Sequence, residues 1–111
     1  MDNSNFCTHI FEYDPNKSSK NVASHGIDFE EAKALWKDTN LIEAPAITHA
    51  GEKRFMVIGS LRGKMWTGII TYRGESIRII SVRRSRIEEA AQYDAINQKM
   101  NEHDCPSPLW C

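Results

Sequence analysis

Tyr72-Arg73-Gly74-Glu75-Ser76-Ile77-Arg78-Ile79-Ile80-Ser81-Val82-Arg83-Arg84-Ser85-Arg86-Ile87-Glu88-Glu89 is the stretch on which the reading of this chain turns. Its isoleucines and Val82 suit a half-buried strand. Arginine beside such residues is costly to pack unless its planar donor fork is wanted for phosphate or carboxylate. The stretch therefore reads as a strand that delivers cations to one place and ends where a helix begins. From Glu52 to Arg86 the chain carries nine cations and two anions, net +7, against net −8 for the remainder. That polarity fits a side facing a polyanion. Arginines guarding strand edges against aggregation would produce it equally well.

Two turns divide the basic segment into three strands, Arg54–Gly59, Lys64–Tyr72 and Ser76–Arg83. The turns, Leu61-Arg62-Gly63 and Arg73-Gly74-Glu75, are short enough to make neighbouring strands antiparallel. Downstream, Ser85-Arg86-Ile87-Glu88 has the form of a capping box. It predicts a helix from Arg86 to about Asn101 that buries Ile87, Ala91, Ile96 and Met100. Upstream, Ile10–Tyr13 reads as a short strand, and Asp14-Pro15 starts a helix that runs to about His25 and closes at Gly26. Its apolar content is thin, so Lys17 and Lys20 should face outward. Asp28 and Glu31 suggest a second capping box, with Phe29, Ala32, Leu35 and Trp36 on one face toward the sheet. That helix ends near Asp38-Thr39-Asn40. Leu41–Ile47 can extend, but Pro45 keeps it out of the sheet centre, and Thr48–Lys53 is a polar turn. Strand, two helices, antiparallel meander and helix together predict an α+β domain with helices grouped against a sheet.

The 111 residues make one domain with one modest core. A hydrophobic content of 41%, a charged content of 26% and 4 prolines mark it as globular. No apolar run approaches the ~20 residues of a membrane span. The start Met1-Asp2-Asn3-Ser4-Asn5-Phe6 lacks the basic and apolar regions of a secretory signal, so a cytoplasmic location with no membrane contact is expected. Residues 1–9 and 102–111 flank a domain of residues 10–101. The tail contains Pro106, Pro108 and Trp110 and cannot continue a helix. Cys7, Cys105 and Cys111 are terminal, with no disulfide ladder, and would remain thiols in a reducing cytosol. Together with His9 and His103 they lack paired zinc-ligand spacing, so neither metal nor cofactor is expected.

Phe11-Glu12-Tyr13-Asp14-Pro15, Lys17, Asn21, His25-Gly26-Ile27-Asp28-Phe29 and Glu31-Ala32 resemble the opening of BrnT-type toxins. The second half agrees through Arg54, Gly59, Gly63, Arg73-Gly74, Ile77-Arg78-Ile79-Ile80-Ser81-Val82-Arg83, Glu89 and Tyr93. The resemblance covers roughly Ile10 to Tyr93. Two positions depart from the pattern: Ser24 stands where a basic residue usually precedes the His-Gly pair, and Ser81-Val82-Arg83 replaces Ser-Ala-Arg. The resemblance implies a RelE-like fold and a ribonuclease toxin of a type II toxin–antitoxin pair that inhibits translation by cutting RNA, free or on the ribosome. It also implies a BrnA-like antitoxin with a ribbon-helix-helix domain, through which alone operator DNA would be engaged.

Cleaving RNA without a metal requires a base for the 2′-OH, an acid for the leaving 5′-oxygen and cations for the phosphorane. Arg54, Arg78 and Arg83 are the catalytic cations to consider, with Arg73, Arg84, Arg86 and Lys53 holding the RNA. Arg83 comes first, because it lies between a strand and a helix N-terminus that itself favours an anion. A structural salt bridge to Glu89 is the competing role for it. Glu89, Tyr93, His25 and His49 are the proton-transfer candidates. Glu89 and Tyr93 share a helical face, and such a pair is also ordinary core architecture. His25, just before a capping glycine, suits a structural role, and His49 lies in a solvent-facing turn. Strict alternation would put Ile77, Ile79, Ser81 and Arg83 on one face and Ser76, Arg78, Ile80 and Val82 on the other, which leaves the catalytic face open. A non-catalytic module holding an acidic partner, and a purely structural domain, fit the same charges.

Overall fold

The computed structural model describes residues 9–104 as an α+β fold around one five-stranded mixed sheet. In chain order the elements are β1 (Ile10–Glu12), α1 (Pro15–His25), α2 (Phe29–Ala32), a 3-10 turn (Lys33–Lys37), β2 (Ile42–Pro45), β3 (Phe55–Leu61), β4 (Lys64–Arg73), β5 (Ser76–Arg84) and α3 (Ile87–Asp104). The sheet order is β1-β5-β4-β3-β2. The expected meander is its centre. β1 joins as a parallel edge strand on β5, and β2 is the opposite edge, where Pro45 is tolerated. No described helix is long and apolar enough to cross a membrane. The cysteines, the prolines of the tail and Trp110 lie outside the described residues, as do the side chains from position 99 onward, Met100 and His103 included.

Local chemistry explains the first two helices. The Asp14 side chain accepts from the Asn16 N–H, Pro15 holds the first helical position, and Gly26 closes α1 with φ 81. The reciprocal box between Asp28 and Glu31 is present in full. α2 gives way after Ala32 to the 3-10 turn, and Phe29, Ala32 and Leu35 still reach the core. α1 and α2 cover one sheet face, where Val57, Trp66, Ile70, Ile77, Ile79 and Val82 are buried with them. Asn21 ties α1 to that sheet. Its amide donates to the Val82 carbonyl (2.8 Å) and accepts from the Val82 N–H (3.2 Å). β1 pairs only with Ser76–Arg78, so Asn21 takes the place of a neighbouring strand farther along β5.

Three expectations are corrected. First, α3 lies across the opposite face from α1 and α2, with Tyr93 against Ile42, Ile58, Met56 and Met65. Its inward residues are Glu89 and Tyr93, whereas Ile87 is 88% exposed and Ala91 and Ile96 are exposed too. A helix resting on a sheet by one narrow stripe buries what the cap geometry turns inward. Second, the capping interaction is one residue later than the spacing suggests: Glu89 accepts from the Arg86 N–H at 2.8 Å, and the Ser85 hydroxyl instead meets Thr67 Oγ1. Third, β5 does not alternate strictly. Ile79 pairs with Ile70 and Ser81 with Ile69, which leaves Ile80 as an extra bulge residue. The bulge puts Val82 in the same core as Ile77 and Ile79 and leaves Arg83 on the α3 face with Arg78.

Candidate functional site

On the α3 face, Arg83 lies opposite Thr67 of β4. Its guanidinium forms a two-pronged ion pair with Glu89, Nη1 to Oε1 and Nη2 to Oε2, each 2.7 Å. Nη1 also donates to the Arg84 carbonyl at 3.3 Å. Glu89, only 7% exposed, accepts from Thr67 Oγ1 (3.0 Å) and the Arg86 N–H as well. The Arg83 hydrogen bonds, aided by these two donors against the cost of burial, hold the Glu89 carboxyl down at about 2. Arg83 is held correspondingly more firmly in its charged form, chiefly by Glu89. Its side chain keeps a quarter of its surface exposed, so the pair is fixed but reachable.

Tyr93 donates to Asp38 Oδ2 at 2.7 Å, the same oxygen that accepts the Ser60 N–H at 2.8 Å. Burial, then the Asp38 hydrogen bond and charge, push the phenol up to about 12. Its hydroxyl is thus turned toward the end of the 3-10 turn and spent on fastening α3.

The other arginines of this face stand farther along the sheet. Arg78 is opposite Thr71, and Arg54, just before Phe55, is level with the same row. Four residues of strand separate that row from Thr67 and Arg83, about 13 Å at ~3.3 Å per residue. Arg78 reaches Glu12 at 3.4 Å, while Arg54 and Arg73 both reach Glu52 at 3.5 Å. Arg54 Nε is buried without a hydrogen-bond partner. Lys53 and Arg73 are exposed at this end, and Arg86 is exposed beside Arg83.

His25 and Arg84 lie elsewhere. They line a cavity of about 300 Å³ on the α1 side, together with Gly26, Ile27, Leu61, Arg62, Lys64 and Trp66. His49 is exposed, in a turn where its backbone bridges Glu52. The structure thus brings together Arg83 and Glu89, sets Arg54 and Arg78 in a second row, and separates His25 from both. Thr67, Asp38 and Asn21 hold this arrangement and were not singled out by sequence reasoning as site residues. Thr67 looks like any β-branched strand residue, and Asp38 like a helix terminator. Asn21 offered one signal, a polar residue on the inward side of a helix with little else to bury.

Cations concentrated at the strand ends of a small α+β protein, with a fixed arginine fork beside a helix start, are the features expected of a protein that handles polyanions. The family described as ribonuclease toxin, BrnT, of type II toxin-antitoxin system has a model that matches residues 13–89, and this chain belongs to that family. The match ends at Glu89, the residue that holds Arg83. No curated protein matches the chain. Family membership makes it a ribonuclease toxin of a type II system, with an antitoxin for a partner.

Proposed function

We propose that the chain is a metal-independent endoribonuclease that inhibits translation in the cytoplasm and is silenced by a BrnA-like ribbon-helix-helix antitoxin. The observation that carries the reaction centre is the Arg83 fork, set by four donors converging on Glu89. A rigid cation needs no reorganisation as charge grows on the phosphorane, and that is where preorganised donors act most strongly. Glu89 is the positioning residue. A carboxyl held at about 2 is a feeble proton acceptor. Tyr93, with its hydroxyl given to Asp38, fastens the helix. The 2′-oxygen attacks phosphorus, the bond to the 5′-oxygen breaks, and the protons pass to and from solvent. The carboxylates nearest the arginines, Glu89, Glu52 and Glu12, are already engaged by them, which favours arginine over a metal as the charge stabiliser. Arg54, Arg78, Arg73 and Lys53 extend the basic track, and Arg86 flanks Arg83. A RelE-like arrangement of sheet and C-terminal helix is consistent with this layout.

The same ion pairs favour a second reading, in which the arginines are structural and the domain only binds a partner. Cleavage of end-labelled RNA by antitoxin-free protein in EDTA, on naked RNA and on translating ribosomes, separates the two. Products with 2′,3′-cyclic phosphate and 5′-hydroxyl ends are expected. Intact RNA in both settings would leave the binding module as the better account.

A further inference from the structure

The cavity on the α1 side is not used by the reaction centre. Its rim carries Arg62, Lys64, Arg84 and His25, and its wall is Ile27, Leu61 and Trp66, with no carboxylate among the lining residues. At about 300 Å³ it is at the small end of ligand pockets. The contrast with the α3 face is one of pairing. Arg83, Arg78, Arg54 and Arg73 each meet a carboxylate there, whereas among the described residues Lys64 and Arg84 meet none. Arg84 lies over the Trp66 ring, its guanidinium 5.6 Å from the centroid, so its position is set without an anion. Arg62 does reach Glu31, at 3.1 Å, but 71% of its side chain is exposed.

Arg62 adds a second argument. The two-residue turn between Leu61 and Lys64 needs left-handed backbone at both positions, and the angles are φ 55 at Arg62 and φ 77 at Gly63. Asn or Gly is the ordinary choice at the first of them. Arg62 places its cation at the rim in a backbone conformation that L side chains disfavour. The cavity also adjoins a cleft lined by Lys17, Lys20, Asn21 and Ser24, with His25 common to both. The cations thus continue along α1.

We infer that this cavity is a phosphate-binding subsite for single-stranded RNA, holding a nucleotide that flanks the cleavage position while Arg83 acts on the opposite face. Consecutive residues of β5 point to opposite faces, so Arg83 and Arg84 let one strand of RNA pass around the end of the sheet with a cation on each side. The inference rests on the RNA-cleaving reading but is tested apart from it.

The probe is 2′-O-methyl decauridine, which lacks the attacking hydroxyl and is bound but not cut, followed by fluorescence anisotropy with the full chain. Replacing both Arg84→Ala and Lys64→Gln should weaken binding about 10- to 30-fold at 0.1 M salt and reduce the salt slope by about 1.4, two phosphate contacts' worth. Lys64→Gln alone, which leaves the Trp66 stack untouched, should remove about 0.7. On cleavable RNA the double variant should raise KM and leave kcat unchanged. Unaltered affinity and slope in a folded double variant would overturn the subsite, even with cleavage intact. A collapse of kcat at saturating RNA would overturn it too, by making the cavity the reaction centre. Uridine 5′-monophosphate separates the sources of phosphate. Tight binding of it to the wild type, with unchanged decauridine affinity in the variant, would mark a mononucleotide pocket and contradict the inference. Pocket-dependent decauridine binding by a protein that cuts no RNA would uphold the subsite and remove the nuclease reading instead.

Discussion

Glu89 carries more of the site than its single charge suggests, because Arg83, Thr67 and the Arg86 N–H all converge on it. Its folded value of about 2 lies below the ordinary 4.5, so its contribution to stability is fully present above pH 4.5 and is lost as pH falls toward 2. The size is on the order of 3 kcal/mol. Urea unfolding across that range should show wild type and Glu89→Gln differing most at neutral pH and converging at the acid end. A constant gap would mean that the Glu89 carboxylate is not held by Arg83 in solution. The pairing was legible as one of two roles for Arg83, since Glu89 follows it at the start of a helix. What could not be read was that the pair is two-pronged and leaves a quarter of the Arg83 side chain exposed. The ion pair fixes the direction of the fork, and on the proposed function its exposed quarter is what would meet a phosphate. Nor could spacing show Thr67 beneath it, because strand pairing alone brings Thr67 opposite Arg83.

Between the residue and the fold stand two elements whose packing departs from their sequence pattern. α1 has almost nothing apolar to bury and is fastened by Asn21, which is 6% exposed and bonded to both backbone groups of Val82 and to the Ile27 carbonyl. Asn21→Ala leaves those buried groups unpaired and should cost about 2–4 kcal/mol, read by chemical denaturation. A loss below 0.5 kcal/mol would show that the contact is not maintained. α3 is the reverse case. Its isoleucines suggested a buried stripe, yet Ile87 is 88% exposed, so Ile87→Ser should change stability by less than about 0.5 kcal/mol. A cost of 2 kcal/mol or more would restore the original stripe. The first two helices were readable because caps are local chemistry, with Asp14, Pro15, Gly26 and the Asp28–Glu31 box all in place. The inward face of α3 was not, because it depends on where the β5 bulge at Ile80 sends Arg83 and hence Glu89. Nothing in the local sequence announces that bulge.

For the whole molecule, the segregation of charge along the chain becomes segregation at the two ends of one sheet. Lys53, Arg54 and Arg73 gather at one end, and Arg62, Lys64, Arg83, Arg84 and Arg86 at the other. If at least three phosphates are held there, RNA affinity should fall about 20-fold or more between 50 and 200 mM salt. A flat dependence in anisotropy titrations would remove the basic-surface account. The role proposed for Arg83 is narrower: its fork, and not merely its charge, stabilises the transition state. The decisive experiment compares the single-turnover cleavage rates of wild type and Arg83→Lys, in EDTA, with both proteins shown to be folded. Lysine keeps the charge and loses the two-pronged geometry, so the rate should fall about 10²- to 10³-fold. Equal rates would move the reaction away from Arg83.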